Sequence, residues 1–117
     1  MTTKETLTSY FDYLKQRKGW DSLLAEDMVF TSFTSPIKEV RGKEAYLQST
    51  KRFFSMVTAV EVRDLVIEGE KACALTRYEL RPPVGSPFRC DVAEVFTVKD
   101  GRITSLAIYF DSAPFPK

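Results

Sequence analysis

The chain has 117 residues, 17 basic and 16 acidic, giving a net charge of +1, and it contains no histidine. A near-neutral balance without a Lys/Arg run excludes a phosphate-tracking nucleic-acid surface. The missing histidine excludes Ser-His and Cys-His nucleophile pairs and the commonest zinc sites. With 44% hydrophobic and 13% aromatic residues, the composition fits one domain over residues 1–117, large enough to fold without metal or disulfide staples. No cofactor and no metal are expected.

Met1-Thr2-Thr3-Lys4-Glu5 lacks the apolar core of a signal peptide, and no stretch approaches the ~18 apolar residues of a membrane span; the cytoplasm is the expected location. Thr2 and Glu5 make a capping box, after which Leu7, Tyr10, Phe11 and Leu14 recur at helical spacing until Gly19. Trp20 to Ala25 reads as a short second helix, and Met28 to Phe33 as a short strand ending in the loop Thr34-Ser35-Pro36. Gly42 precedes a third helix with an aromatic-rich stripe of Tyr46, Thr50, Phe53, Phe54 and Val57.

From Val60 the apolar period changes from 3.6 to 2. Four strands are expected, Val60 to Ile67, Ala72 to Arg81, Phe88 to Val98 and Ile103 to Phe110, separated by turn signals that include Asp100-Gly101. Helices followed by an antiparallel meander imply an α+β fold with the helices on one face of the sheet. Cys73 and Cys90 lie in strand interiors, where free thiols behave as small hydrophobes.

The third of these strands carries the anomaly of the chain. Alternation places Glu94 on one face with Cys90, Val92, Phe96 and Val98. Carboxylates are almost never fully buried unless paired, hydrogen-bonded or protonated, so either Glu94 lines an internal cavity or the strand is an edge with its faces reversed. A two-residue turn at Asp100-Gly101 would pair Glu94 with Ala107. A three-residue loop with Gly101 as a G1 bulge would pair it with Leu106 and join its face to Ile108 and Phe110. The second reading forms one continuous apolar surface and is preferred. In the preceding hairpin, a centre near Val84-Gly85 sets Leu75 opposite Glu94 and Arg77 diagonal to it, so that Arg77 reaches Glu94 or Glu79. The alternative is that Arg77, Glu79 and Arg81 form a solvated strand end; a one-residue shift would turn Tyr78 and Leu80 inward instead.

The element order, together with Trp20-Asp21-Ser22-Leu23-Leu24-Ala25-Glu26-Asp27-Met28-Val29-Phe30, Arg41-Gly42-Lys43-Glu44-Ala45, Val98-Lys99-Asp100-Gly101-Arg102-Ile103 and Tyr109-Phe110-Asp111, resembles the SnoaL-like branch of the nuclear-transport-factor-2-like superfamily. The resemblance implies a cystatin-like conical barrel, a curved, mainly antiparallel sheet wrapped around three N-terminal helices, with an apolar cavity and a homodimer formed through the outer sheet face. Asp91-Val92-Ala93-Glu94 is similar in placement to the Asp-x-x-Asp of ketosteroid isomerases, which implies a proton-donating role for Glu94 and an oxyanion-donor role for Tyr10, or for Tyr13 under a shifted alignment. The isomerase base maps to Ser32, which cannot abstract a carbon-bound proton. Arg77-Tyr78-Glu79 resembles the Arg-x-Asp of limonene-type epoxide hydrolases, whose second aspartate maps to Ile108. The histidine of SnoaL-type cyclases has no counterpart.

Two functions follow as expectations. In one, an apolar pocket walled by Phe30, Phe33, Tyr46, Phe53, Phe54, Val92, Leu106, Ile108 and Phe110, with Ser32 and Glu79 at its polar positions, binds a small carbonyl-bearing molecule. Glu94 then acts as acid or base while Tyr10 and Arg77 stabilise oxygen charge. In the other, the core is filled and the protein is a non-catalytic dimerising module.

Overall fold

The computed structural model describes residues 1–34 and 36–115, so Ser35 of the expected Thr34-Ser35-Pro36 loop lies outside the described residues. The first helix, α1 (Thr3–Gln16), begins with the capping box: Thr2 Oγ1 accepts from the Glu5 amide at 3.1 Å, and Glu5 Oε1 accepts from the Thr2 amide at 2.8 Å. Its apolar stripe buries Leu7, Tyr10, Phe11 and Leu14. The helix stops at Arg17 in the left-handed conformation (φ 65°), and the Arg17 guanidinium donates to the Val57 carbonyl at 2.6 Å. That bond ties the end of the helix to the sheet.

The expected second helix is a correction. Trp20–Leu23 forms a single 3-10 turn, and β1 (Leu24–Ser32) starts directly after it. Six residues are too few to offset the cost of helix nucleation, and Gly19 at φ 87° sets up one tight turn only. Two α-helices therefore accompany the sheet, the other being α2 (Lys43–Met56). A short strand, β2 (Lys38–Arg41), precedes α2; three of its four residues are charged, so it carries no apolar alternation. The meander follows as β3 (Val57–Glu68), β4 (Lys71–Leu80), β5 (Phe88–Lys99) and β6 (Arg102–Phe110).

The six strands form one sheet in the order β2-β1-β6-β5-β4-β3, antiparallel except for the β1–β6 pair. Helix α1 packs on β3 and β5, and α2 on β1 and β2. The deep core is an aromatic triangle of Tyr10, Phe11 and Phe96, all edge-to-face, with ring centroids 5.1, 5.6 and 5.9 Å apart. Among the described residues no helix is long and apolar enough to cross a membrane.

Both hairpin registers differ from expectation, with opposite consequences. In the β5–β6 hairpin, Asp100 (φ 50°) and Gly101 (φ 75°) form the two-residue turn, pairing Lys99 with Arg102 and Val98 with Ile103. A bulge then leaves Thr104 extra, Thr97 pairs with Ser105, and Glu94 comes to lie opposite Ile108 rather than Leu106 or Ala107. The bulge restores the parity that the two-residue turn alone would have reversed. Leu106, Ile108 and Phe110 thus share the face of Glu94 by a different route. In the β4–β5 hairpin, Ala74 rather than Leu75 lies opposite Glu94. This one-residue shift turns Thr76, Tyr78 and Leu80 inward and sends Arg77 and Glu79 to the outer face.

Candidate functional site

Strand pairing assembles the polar end of the concave face. Glu94 on β5 lies between Ala74 on β4 and Ile108 on β6, and Ile108 lies beside Ser32 on β1. Opposed residues point to the same side of a sheet, so Ser32, Ile108 and Glu94 form one row. Helix α2 lays its stripe across this row. Between them is a cavity of about 200 Å³, whose walls include Phe30, Tyr46, Phe53, Phe54, Leu106 and Phe110.

Glu94 is 3% exposed. Its Oε2 accepts hydrogen bonds from Thr76 Oγ1 at 2.6 Å and Tyr78 Oη at 2.9 Å. Oε1 accepts none among the described residues, which leaves it to the cavity that Glu94 lines. Burial raises the carboxyl pKa to about 7, against the opposing pull of the Thr76 and Tyr78 hydroxyls, which favour the ionised form. Near neutral pH the group therefore exists in both states. With Oε2 already accepting two donors, the acid proton belongs on Oε1, where it faces the cavity. The Tyr46 and Tyr78 phenols are raised by burial and by the adjacent Glu94, so both remain protonated donors.

Of the residues expected at the site, Glu94, Phe30, Ser32, Tyr46, Phe53, Phe54, Val92, Leu106, Ile108 and Phe110 all line the cavity. Four do not. Arg77 lies on the outer face, where its Nε donates to Asp91 Oδ1 at 2.8 Å; it is not the counter-ion of Glu94, because the register shift carries it through the sheet. Glu79 accepts from Arg89 on that same face at 3.2 Å. Phe33 follows the end of β1 and stacks on the outer Tyr109, centroids 4.9 Å apart. Tyr10 is fully buried among Phe11 and Phe96, does not line the cavity, and its hydroxyl has no hydrogen-bond partner among the described residues. Burial, reinforced by Tyr46, Tyr78 and Glu94, pushes its phenol well above the ordinary value. Tyr78 donates instead to Glu94, and Tyr46 lines the cavity.

The sequence reading missed Thr76 and Tyr78 as Glu94 partners, along with Lys38, Ser49, Thr50, Cys90 and Phe115 as cavity residues. The alternation Ala72-Ala74-Thr76-Tyr78-Leu80 was the available signal for the first two. Cys90 is buried on the cavity side, its thiol pushed up to about 12 chiefly by burial. Cys73 falls on the opposite face by strand alternation, and both thiols are free.

The profile of the SnoaL-like domain matches residues 8–106. The chain belongs to the SnoaL-like family. Its fold is nuclear-transport-factor-2-like, as in a protein of that description from Cytophaga hutchinsonii, 21% identical with a TM-score of 0.77 over 97% of this chain and 94% of the other. A candidate isomerase from Bacillus subtilis is 21% identical, with a TM-score of 0.80 over 97% and 91% of the two chains. A candidate SnoaL-like polyketide cyclase (carbohydrate phosphatase) from Mesorhizobium loti is 24% identical, with a TM-score of 0.76 over 93% and 99%. No curated protein sequence matches this SnoaL-like chain.

Proposed function

We propose that the cavity binds a small hydrophobic carbonyl compound and that Glu94 moves a proton to or from it. One observation carries this reading: a single carboxyl, buried in an apolar cavity, has one oxygen pinned by two hydroxyl donors and the other left to the cavity. As a carboxylate, Glu94 takes a proton from the carbon beside the carbonyl and returns it at another carbon, ending in its original charge state. The Tyr46 hydroxyl, from the cavity wall, stabilises charge on the carbonyl oxygen. Ser32 and Ile108 supply no second carboxylate, so one group serves as acceptor and then donor.

Carboxyl-carbon NMR tests this directly. The Glu94 resonance is expected to titrate with a midpoint near 7 and to shift when a small cyclic enone such as cyclohexenone is added. A midpoint near the ordinary ~4.3, unmoved by the ketone, would sink the reading.

We propose in addition that the protein pairs with a second copy through the outer sheet face. Val66, Cys73, Val95 and Ala107 form an apolar row across four strands, flanked by Leu75, Ala93 and Tyr109. Val66, Leu75 and Tyr109 are exposed at 62%, 47% and 52%, and the Arg77–Asp91 and Arg89–Glu79 ion pairs lie towards one end of the face. An apolar patch bordered by charge suits an isologous interface. Light scattering is expected to give twice the chain mass for the wild type and the single-chain mass for Val95→Arg. A monomeric wild type at micromolar concentration would count against it.

A further inference from the structure

Among the described residues that line the cavity, Lys38 is the one lysine or arginine and Glu94 the one carboxylic acid. Strand register places them in a single row: Lys38 opposes Ser32, Ser32 lies beside Ile108, and Ile108 opposes Glu94. Three inter-strand steps put their Cα atoms about 14 Å apart along the row. Charged residues on a short edge strand, inward-pointing ones included, discourage pairing with other chains; Lys38 in addition lines the cavity. Lys38 shares its face with Val40, which packs on the core. The alternate positions, Glu39 and Arg41, pair with each other at 3.2 Å. Lys38 itself makes no ion pair among the described residues. Nor is it the counter-ion of Glu94, whose proton affinity is governed by burial and two hydroxyls with no cation contributing.

The cavity is therefore bipolar. A carboxyl with its hydroxyl donors occupies the buried part, an ammonium stands on the exposed edge strand, and apolar side chains lie between. Its volume of about 200 Å³ is modestly larger than the ~150 Å³ in which an apolar protein cavity holds benzene. That space takes one ring with small substituents, and a larger skeleton would extend out through the open side of the cavity.

We propose that the ligand of this cavity is a compact, single-ring carbonyl compound bearing a carboxylate, with its carbonyl against Glu94 and its carboxylate against the Lys38 ammonium. This rests on the reading of the cavity as a carbonyl site and adds the anionic end. The carboxylate end stays near solvent, where a charged pair contributes modestly, about fivefold in affinity.

The test compares 4-acetylbenzoate with neutral 4-acetylbenzamide, titrated into wild type, Lys38→Met and Lys38→Arg at about pH 6 and followed by the Glu94 carboxyl resonance. The wild type is expected to bind the benzoate about fivefold more tightly than the benzamide. That ratio is expected to fall to about one in Lys38→Met, to survive in Lys38→Arg and to narrow with added salt. Equal affinities in the wild type, or a preference that persists in Lys38→Met, would overturn the assignment to Lys38 while the carbonyl site stands. Failure of both probes to bind or to move the Glu94 resonance would overturn the anionic-ligand proposal and the carbonyl reading together.

Discussion

Replacing Glu94 with glutamine is expected to flatten the dependence of stability on pH and to make the protein more stable than wild type in mild alkali. The folded carboxyl has a pKa of about 7 against an ordinary 4.5, so between these values the folded chain holds a proton that the unfolded chain has released. Stability from this group is therefore fully present below about pH 4.5 and is lost as pH rises through about 7. The shift corresponds to about 3 kcal/mol across the window. Glutamine is the fixed neutral analogue: its amide oxygen keeps accepting from Thr76 and Tyr78, and nothing ionises. Urea unfolding at about pH 5 and about pH 8 should show wild-type stability falling between the two while Glu94→Gln stays level. Parallel declines in both proteins would mean that another group is responsible. The same substitution removes the proton carrier, so any proton-transfer activity should be lost although the fold is strengthened.

Removing the two hydroxyls that hold Glu94 Oε2 should drive its pKa higher still. Thr76 and Tyr78 donate to the same oxygen at 2.6 and 2.9 Å, and hydrogen bonds to a charged acceptor contribute about 1.5–3 kcal/mol. Each therefore offsets part of the burial penalty that raises the pKa to about 7. Thr76→Val and Tyr78→Phe are each expected to raise the midpoint by about one unit or more. The double variant should depart from additivity, because both donors share one acceptor. Arg77→Ala, which breaks an outer-face pair with Asp91, is the control and should leave the midpoint in place. Carboxyl-carbon titration of the four proteins decides the matter, and a double variant still titrating near 7 would remove the hydroxyls from the account.

The site was partly legible before the fold was known, for reasons that particular residues make plain. Glu94 stood out because strand alternation is local: Cys90, Val92, Phe96 and Val98 declare which side is inward without reference to any other strand. The aromatic face of α2 was equally local, and Tyr46, Phe53 and Phe54 all reach the cavity. Partner identity was not local. Arg77 and Tyr78 are neighbours in the chain, and a single step of register decides which of them meets Glu94. The long connection between β4 and β5 leaves that step unspecified, and only the packing of Tyr78 and Leu80 into the core selects it. The β5–β6 hairpin makes the complementary point. The turn was misjudged and the face was right, because the bulge at Thr104 adds the residue that the turn does not. The β2 strand was invisible for a third reason: Lys38-Glu39-Val40-Arg41 is a strand only because β1 offers it an edge to pair with.

The sequence by itself determined the α+β order, the capped first helix, the turn-rich meander and the inward acid, since each depends on contacts within a few residues. The tertiary structure alone decided what surrounds that acid. Thr76 and Tyr78 rather than Arg77 hold Glu94, and Lys38 stands in its row, because cross-strand register is set by burial summed over the whole sheet and not by any segment of it.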